Sequence, residues 1–427
     1  MNKILLLFLL LFAKVVFLPA NPDHDGLGQF YTGAFARINL STPSSLLLPY
    51  TSNAPQITSR AAVLIDAETG TVLFAQNPHE EIPPASLTKL MTMHLVKREA
   101  LAGNLSLDEL VPIGIESWAQ SQPPRSSLMF LAPGQIVTLR ELLLGLAVPS
   151  GNDAAVAVAL RLAPTVQDFA GMMTLEAQRM GLYRTRFVEP SGISEHNMTT
   201  AAEFAAFSRE YIRLHPGSLA EFHSVQVFAY PTAANVPEAQ RNNPRTIVQH
   251  NRNTLLRLLP GVDGLKTGFI NQSGFNIALT AERDNTRFIA VLLGAPAGPG
   301  GALIREQDGN RLLSWAFDNF KTVRPNPNTL RIEPARLWKG RLNTAQLKIA
   351  DSKTFTSPIS RSQSLWYSVE LNGPLVAPLS AGQKVGHLVI LDEFGEVNRV
   401  PVLTAQAYEQ GSIFRRIWHS IRLFFRR

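Results

Sequence analysis

The chain has 427 residues, of which 45% are hydrophobic and 17% are charged. This composition is typical of folded globular proteins and excludes a largely disordered or fibrous chain. The length exceeds what one ordinary hydrophobic core accommodates, so we expect two domains with additional terminal segments. Cysteine is absent, which excludes disulfide bonds, thiolate metal sites and a cysteine nucleophile.

The net charge of +7 is confined to the two ends of the chain. Residues 1–20 contain two lysines and no acidic residue, and residues 412–427 contain five arginines and no acidic residue. The remaining 33 basic residues equal the 33 acidic residues in number. We therefore expect no basic groove on the body of the protein and no nucleic acid as a partner.

The N-terminal 57 residues are predicted to lie outside the folded domains. Residues 1–20 have the pattern of a signal peptide, since Lys3 precedes an apolar stretch of the usual length. The alternative is an uncleaved membrane anchor, and both place the rest of the chain outside the cytoplasm. Residues 21–57 are rich in Pro, Ser, Thr, Gly and Asn, which predicts a linker or a loosely docked extension.

Helices and strands are mixed between residues 58 and 321. Two apolar runs within residues 61–75 flank Glu68-Thr69-Gly70, which predicts a β-hairpin. Thr138 and Glu141 form the pattern of a capping box, which opens a helix. The other predicted elements are helices at residues 86–102, after Asp153 and at residues 312–320, and strands at residues 275–280 and 288–293.

A second domain is predicted at residues 322–411. The sequence VRPNPN after residue 322 marks a boundary, and short alternating runs separated by Pro, Gly, Asn and Ser follow it. This pattern is typical of a small all-β domain, and we expect a β-sandwich.

Residues 412–427 have the pattern of an amphipathic helix. At 100° per residue, the apolar side chains from Ile413 to Phe425 fall within an arc of about 140°, and Leu423 alone departs from it. The five arginines and His419 occupy the other side. A helix docked on its own domain is one interpretation. The terminal position and four aromatic residues favour an in-plane helix on an anionic membrane surface.

The first candidate catalytic motif is Ser86-Leu87-Thr88-Lys89, at the start of a predicted helix. A serine hydroxyl is a weak nucleophile unless a base lies within hydrogen-bonding distance. Because residues three apart share one face of a helix, Lys89 can reach the hydroxyl of Ser86. Taken alone, S-x-x-K is also compatible with a serine N-cap and an exposed lysine.

The second motif is Ser150-Gly151-Asn152, between two apolar helices. Its hydroxyl can relay a proton, and its carboxamide can hold a substrate carbonyl. An ordinary turn with an N-cap is the alternative interpretation of this motif alone.

The third motif is Lys266-Thr267-Gly268, at a predicted strand edge. Lys266 supplies charge, Thr267 supplies a hydrogen bond, and Gly268 permits close backbone approach, which suits an extended substrate that ends in a carboxylate. A strand with a surface lysine is the alternative.

In this order the three motifs resemble those of the D-alanyl-D-alanine carboxypeptidases, which are low-molecular-mass penicillin-binding proteins. The resemblance extends from about residue 58 to the C-terminus. It implies an α/β (α+β) penicillin-binding/β-lactamase-like transpeptidase fold, a small all-β C-terminal domain and an amphipathic anchor. It also implies a periplasmic serine peptidase, peripherally attached to the outer face of the cytoplasmic membrane, that removes the terminal D-alanine from peptidoglycan stem pentapeptides.

The resemblance also implies roles for the motif residues. Ser86 would form the acyl-enzyme, Lys89 would be the general base, and Ser150 would relay protons to the leaving D-alanine. Asn152 would hold the substrate amide. The family implies β-lactam antibiotics as covalent inhibitors, and neither a cofactor nor a metal.

Two further groups of residues follow from the resemblance. The backbone N–H groups of Ser86 and Phe269 would form an oxyanion hole. Lys266 and Thr267, together with Arg252 or Arg305, would receive the terminal carboxylate of the substrate.

The sequence departs from the family pattern at two positions. Ile270 stands where the family often has threonine, which removes a hydroxyl from the site. Glu189 stands where the family usually has asparagine, and we expect it to have a structural role.

Four alternative functions are weighed against this interpretation. A peptidoglycan DD-endopeptidase of the same fold stays open, although such enzymes usually lack the β-domain. A β-lactamase is disfavoured because the chain has no Glu-x-x-Leu-Asn loop, and a zinc peptidase because no H-x-x-x-H pair is present. A catalytically silent peptidoglycan-binding scaffold needs no nucleophile, so the intact motifs argue against it.

Overall fold

The computed structural model describes residues 53–324, 332–350, 354–361, 365–393 and 395–425. The predicted signal peptide lies outside these ranges, as does most of the predicted extension at residues 21–57. Within the described ranges, no helix has both the length and the apolar character needed to cross a lipid bilayer.

The first part of the described chain, residues 53–324, is built around a five-stranded antiparallel sheet. Ten strands lie in this part: β1 (Ala61–Asp66), β2 (Val72–Gln76), β3 (Leu110–Pro112), β4 (Ile136–Thr138), β5 (Val227–Tyr230), β6 (Ile247–His250), β7 (Val262–Ile270), β8 (Gly274–Arg283), β9 (Thr286–Ala295) and β10 (Phe320–Val323). The order in the sheet is β2-β1-β9-β8-β7, so β7 forms one edge. This edge carries the third sequence motif.

Seven helices accompany these strands: α1 (Lys89–Leu101), α2 (Leu139–Ala147), α3 (Asn152–Leu162), α4 (Val166–Arg179), α5 (Ala201–Leu214), α6 (Leu255–Leu258) and α7 (Gly301–Asn319). Helix α7 packs on one face of the sheet, where Leu312, Leu313 and Ala316 join the buried cluster of strand side chains. Helix α5 packs against β1 and β9. Because every residue of β1 is buried, both faces of the sheet are covered.

The second part comprises the described residues between 332 and 425, which are all-β apart from one short turn and the terminal helix. Its elements are β11 (Ala335–Trp338), β12 (Thr344–Ala345), β13 (Leu347–Ile349), β14 (Phe355–Pro358), β15 (Trp366–Leu371), β16 (Leu375–Val376), β17 (Lys384–Asp392), β18 (Gly395–Thr404) and α8 (Ile413–Phe424). A four-stranded sheet, β13-β18-β17-β15, and a three-stranded sheet, β12-β11-β16, share one apolar core.

The two parts meet at the turn after β1. Strand β10 pairs with β14, and the carboxylate of Asp66 accepts hydrogen bonds from the hydroxyls of Thr322 and Thr356, each at 2.8 Å. Asp66 also accepts from the backbone N–H of Glu68 at 2.8 Å. One buried carboxylate thus ties the hairpin turn to both strands of the β10–β14 pair.

Several sequence predictions are confirmed at the level of single elements. The hairpin at residues 61–75 is β1–β2, and the strands at residues 275–280 and 288–293 lie within β8 and β9. The capping box is present, because Thr138 accepts from the backbone of Glu141 and Glu141 accepts from the backbone of Thr138.

Two helix boundaries differ from the prediction. Ser86 lies in a 3₁₀ turn, Ala85–Thr88, and the α-helix begins only at Lys89. Helix α7 begins at Gly301 rather than near residue 312, because Gly300 adopts a left-handed conformation (φ +82°) that a glycine-rich sequence makes available. Helices α4 and α5 were not predicted from the sequence.

Candidate active site

The turn that carries Ser86 packs closely against two glycines, Gly192 and Gly268, from distant segments of the chain. A Cβ at Gly192 would lie 1.8 Å from the carbonyl oxygen of Ala85, and one at Gly268 would lie 2.9 Å from the backbone nitrogen of Ser86. Real Cβ atoms do not approach so closely, so only glycine lets β7 and the loop at Gly192 pack against this backbone. The nucleophile candidate is therefore held by backbone on two sides.

Lys89 connects the first and second motifs. Its Nζ lies 3.0 Å from Ser86 Oγ and donates to Asn152 Oδ1 at 2.8 Å and to the carbonyl oxygen of Ser191 at 2.6 Å. The side chain is completely buried. Burial lowers the pKa of Lys89 to about 7, although Glu189 and Asp153 oppose this shift. A sizeable fraction of Lys89 is therefore neutral near pH 7 and can accept a proton.

The second motif is held in place by the loop that precedes it. Asn152 donates from Nδ2 to Ser126 Oγ at 3.1 Å and from its backbone to the carbonyl oxygen of Ser127 at 2.8 Å. Ser150 has a left-handed backbone (φ +66°). Its buried Oγ makes no hydrogen bond to any group within the described part of the chain. This hydroxyl can therefore still form a further hydrogen bond.

Asp153, which directly follows the second motif, holds the loop that precedes the motif. Its carboxylate accepts from the backbone N–H groups of Met129 at 2.8 Å, Phe130 at 2.8 Å and Leu131 at 3.0 Å. Burial raises the pKa of Asp153, and these backbone hydrogen bonds oppose the shift. The loop next to Ser150 and Asn152 is therefore rigidly attached to the start of α3.

The third motif lies on the edge strand β7. Lys266 and Thr267 are both buried, and Lys266 Nζ donates to the carbonyl oxygen of Thr267 at 3.1 Å. The pKa of Lys266 is well below its usual value because of burial, and the positive charges of Lys89, Arg252 and Arg305 lower it further. A bound anion would stabilise the protonated form of Lys266 and so oppose both causes of its lowered pKa.

The two candidate arginines approach Lys266 from different elements. Arg305 lies on α7, is 6% exposed, and has its guanidinium 5.7 Å from the centre of the Phe275 ring. Nη2 donates to Glu306 at 3.1 Å, and the buried Nε has no partner among the described residues. Arg252 is exposed on the segment after β6. Both contribute positive potential at Lys266.

Phe269 continues β7 beyond the third motif. Its ring packs on Phe275 with a centroid separation of 4.2 Å, and 41% of the residue is exposed. The close approach of Gly268 to the nitrogen of Ser86 brings the backbone of β7 alongside the 3₁₀ turn, where the N–H groups of Ser86 and Phe269 are predicted to share one substrate oxygen.

Several residues of the site were missed by the sequence analysis. Ser126 and the Ser191 carbonyl contact Asn152 and Lys89 directly, and His223 Nδ1 lies 3.2 Å from the carbonyl oxygen of Leu265, next to Lys266. No spacing rule links them to the motifs. The glycine at position 192, directly after Pro-Ser, was the one available signal of a close backbone approach.

Comparison with known proteins identifies related sequences for both parts of the chain. Residues 49–297 match the family model "D-alanyl-D-alanine carboxypeptidase", and residues 320–410 match "Penicillin-binding protein 5, C-terminal domain". The D-alanyl-D-alanine carboxypeptidase DacC of Escherichia coli (strain K12) is 31% identical over 391 residues, which cover 90% of this chain and 93% of DacC.

Solved structures give the same picture. Penicillin-binding protein 5 from Haemophilus influenzae aligns with a TM-score of 0.71 and 31% identity, over 84% of this chain and 99% of that one. Penicillin-binding protein D2 from Listeria monocytogenes, in its cefotaxime-bound form, aligns with a TM-score of 0.53 and 27% identity, over 62% of this chain and all of that one.

Proposed function

The chain belongs to the D-alanyl-D-alanine carboxypeptidase family, and from this premise we propose that it removes the terminal D-alanine from peptidoglycan stem pentapeptides through an acyl-enzyme on Ser86. It is a serine-type hydrolase with a penicillin-binding-protein fold and an all-β C-terminal domain. The observation that carries the proposed mechanism is the contact between Ser86 Oγ and a buried Lys89 at 3.0 Å.

Acylation uses the neutral form of Lys89. Lys89 takes the proton of Ser86 as Oγ bonds to the carbonyl carbon of the penultimate D-alanine. The C–N bond to the terminal D-alanine then breaks, as Ser150 gives its proton to the leaving amine and takes the proton that Lys89 had accepted. Water then hydrolyses the acyl-enzyme and restores the hydroxyl of Ser86. The Oγ of Ser150, which has no hydrogen-bond partner among the described residues, supports this assignment. Asn152 would hold the substrate amide.

Two backbone N–H groups, those of Ser86 and Phe269, stabilise the negative charge that develops on the carbonyl oxygen. The small separation between Gly268 and the nitrogen of Ser86 supports this pairing. A side chain at position 268 would push β7 away from the turn and enlarge the gap between the two donors.

The terminal carboxylate of the substrate would bind at Lys266 and Thr267, within the positive potential of Arg252 and Arg305. Its charge compensates Lys266, which is buried among cations. Arg305 is the better-supported arginine because it is buried and its Nε has no hydrogen-bond partner among the described residues. Arg252 adds positive potential from the surface. Position 268 is glycine because the substrate and the Ser86 turn both approach this backbone.

β-Lactam antibiotics are expected to acylate the same serine. The Listeria relative is described in a cefotaxime-bound form. A penicillin carries a carboxylate and a reactive carbonyl, which Lys266 and Ser86 would receive.

The terminal helix α8 is proposed to attach the protein to an anionic membrane surface. Its apolar residues are exposed, with Phe414 at 81% and Trp418 at 59%. The opposite edge docks on the β-domain, because His419 Nδ1 accepts from the backbone of Lys339 at 2.7 Å and Arg415 donates to the carbonyl oxygen of Leu342 at 3.3 Å. The docking directs the apolar side outward.

We place the mature protein in the periplasm, on the outer face of the cytoplasmic membrane. The division of the chain that we propose is a signal peptide at residues 1–20, an extension at 21–57, a peptidase domain at 58–321, a β-domain at 322–411 and an anchor at 412–427. Truncation after Gly411 should release the protein from membranes without loss of peptidase activity. A truncated form that still sediments with membranes would remove the anchor from the proposal.

The function is tested by incubating the protein with a pentapeptide that ends in D-Ala-D-Ala and quantifying free D-alanine. We expect one D-alanine per peptide and none with Ser86→Ala. A cross-linked peptide dimer in a parallel reaction tests the endopeptidase alternative, since only an endopeptidase separates its two halves. D-alanine release that persists in Ser86→Ala would refute the mechanism.

A further inference from the structure

The loop from Glu189 to Asn197 supplies a carbonyl to the amine of Lys89. The side chain of Thr92 on α1 donates to the carbonyl oxygen of Pro190 at 2.8 Å. Asn197 donates from Nδ2 to Thr88 Oγ1 at 3.2 Å. Together with the contact of Gly192 against Ala85, these bonds attach the loop along the Ser86 turn and the start of α1.

One peptide group within this loop is hydrogen-bonded at both ends. The carbonyl oxygen of Ser191 accepts from Lys89 Nζ at 2.6 Å, and the N–H of the same peptide, on Gly192, donates to Glu189 Oε1 at 2.7 Å. A cation at the carbonyl and an anion at the N–H polarise the peptide in the same sense, so each bond strengthens the other.

We propose that Glu189 is a positioning residue that stabilises the protonated form of Lys89 through the Ser191–Gly192 peptide and thereby sets the pH at which Ser86 is acylated. The inference rests on the proposed role of Lys89 as general base. It assigns a function to a position where we expected only a structural residue.

The carboxylate of Glu189 is fixed and fully occupied. In addition to Gly192, it accepts from the backbone N–H and the hydroxyl of Ser191 at 2.7 and 2.6 Å, from Asn197 Nδ2 at 2.8 Å and from the backbone of Ser194 at 3.3 Å. These donors use the lone pairs that a carboxylate offers. Glu189 therefore acts as a fixed charge behind the peptide and not as a base that takes a proton from water.

Charged groups face Lys89 from three elements. Glu189 faces it from the loop and Asp153 from α3, and both oppose the effect of burial on the pKa of Lys89. Lys266 faces it from β7, with Arg252 and Arg305 beyond. Because Glu189 is the larger of the two opposing influences, loss of its charge should increase the neutral fraction of Lys89 at low pH.

The test is the pH dependence of acylation by a fluorescent penicillin. Glu189→Gln removes the charge, so the midpoint of the rise in rate should move down by roughly 1 pH unit, with a rate about fivefold higher at pH 6 and unchanged at pH 9. Glu203→Gln is the matched control, since Glu203 accepts from the backbone of Arg184 at 2.9 Å and from Thr185 Oγ1 at 2.6 Å. Its profile should match the wild type.

A second measurement needs no substitution and so does not depend on the folding of the variant. With carbonyl-¹³C serine and ¹⁵N glycine, only three Ser–Gly pairs are visible by NMR, of which Ser191–Gly192 is one. The amide resonance of Gly192 should titrate with the same midpoint as acylation, while that of Gly274 should not.

The outcomes separate this inference from the proposed function. A Glu189→Gln profile that superimposes on the wild type, or a Gly192 resonance that stays constant through the acylation midpoint, overturns the role of Glu189. Absence of labelling in the wild type, or labelling of Ser86→Ala, overturns the proposed function instead.

Discussion

The Ser86 site and the helix α8 both carry positively charged side chains, but in opposite surroundings. Lys89 and Lys266 are buried, and each makes specific hydrogen bonds. Arg416 and Arg422 on α8 are exposed. In a buried site the charge of one residue controls the protonation of its neighbours. On an exposed helix, each screened charge makes a small, independent contribution to the free energy of binding to an anionic surface.

The sharpest test of this contrast is Lys89→Met, which removes the buried amine and keeps an apolar chain of similar length. Without a base, the rate at which a fluorescent penicillin labels Ser86 should fall about 10³-fold. Lys97→Met is the control on the same helix, because Lys97 forms a salt bridge with Glu221, with a distance of 3.2 Å between Nζ and Oε2. A Lys89→Met enzyme that keeps a tenth of the labelling rate would contradict the role of Lys89 as the base.

Lys266→Met should separate activity from stability. Loss of the cation that meets the substrate carboxylate should lower kcat/KM for the pentapeptide about 10²-fold. Thermal unfolding should occur at the same or a higher temperature, because the variant no longer buries a charge among other cations.

A pentapeptide with a C-terminal amide provides the matched control for Lys266. The variant should use the amide and the free acid about equally, whereas the wild type should prefer the acid. An unchanged preference for the free acid would show that another residue receives the carboxylate.

Single substitutions on α8 should change membrane binding by smaller factors than those expected for activity at Lys89 and Lys266. Phe414→Ser removes one exposed aromatic side chain, so binding to vesicles that contain anionic lipid should weaken about 30-fold. Leu423→Ser is the matched control, since Leu423 is half-buried against the β-domain in a cleft with Arg336 and Trp338. Equal losses of vesicle binding in both variants would mean that α8 does not present one apolar side to the membrane.

Leu423 also shows what a sequence can and cannot predict. The helical spacing predicted an apolar side and identified Leu423 as the residue that departs from it. The reason is a tertiary contact: Arg415, His419 and Leu423, four residues apart, form the edge that docks on the β-domain. Periodicity predicts which residues share a face of a helix, but not what each face meets.

The same limit applies at the Ser86 site. The Ser86–Lys89 pair and the hairpin β8–β9 follow from local rules of spacing and turn formation. The Lys89–Ser191 contact joins residues 102 positions apart, and it depends on how closely Gly192 packs against Ala85. Local rules of spacing do not predict how closely Gly192 packs against Ala85. The role inferred for Glu189 therefore follows only from the three-dimensional structure.

The smallest expected effect belongs to a single arginine of α8. Arg416→Ala should weaken binding to anionic vesicles at low salt by about 1 kcal/mol, or roughly fivefold. The difference from the wild type should vanish in 1 M salt, where charges are screened within about 3 Å, and on vesicles of zwitterionic lipid. A loss of vesicle binding that persists under either condition would mean that Arg416 makes a specific contact. Arg416 would then resemble the buried lysines of the Ser86 site, which make specific hydrogen bonds.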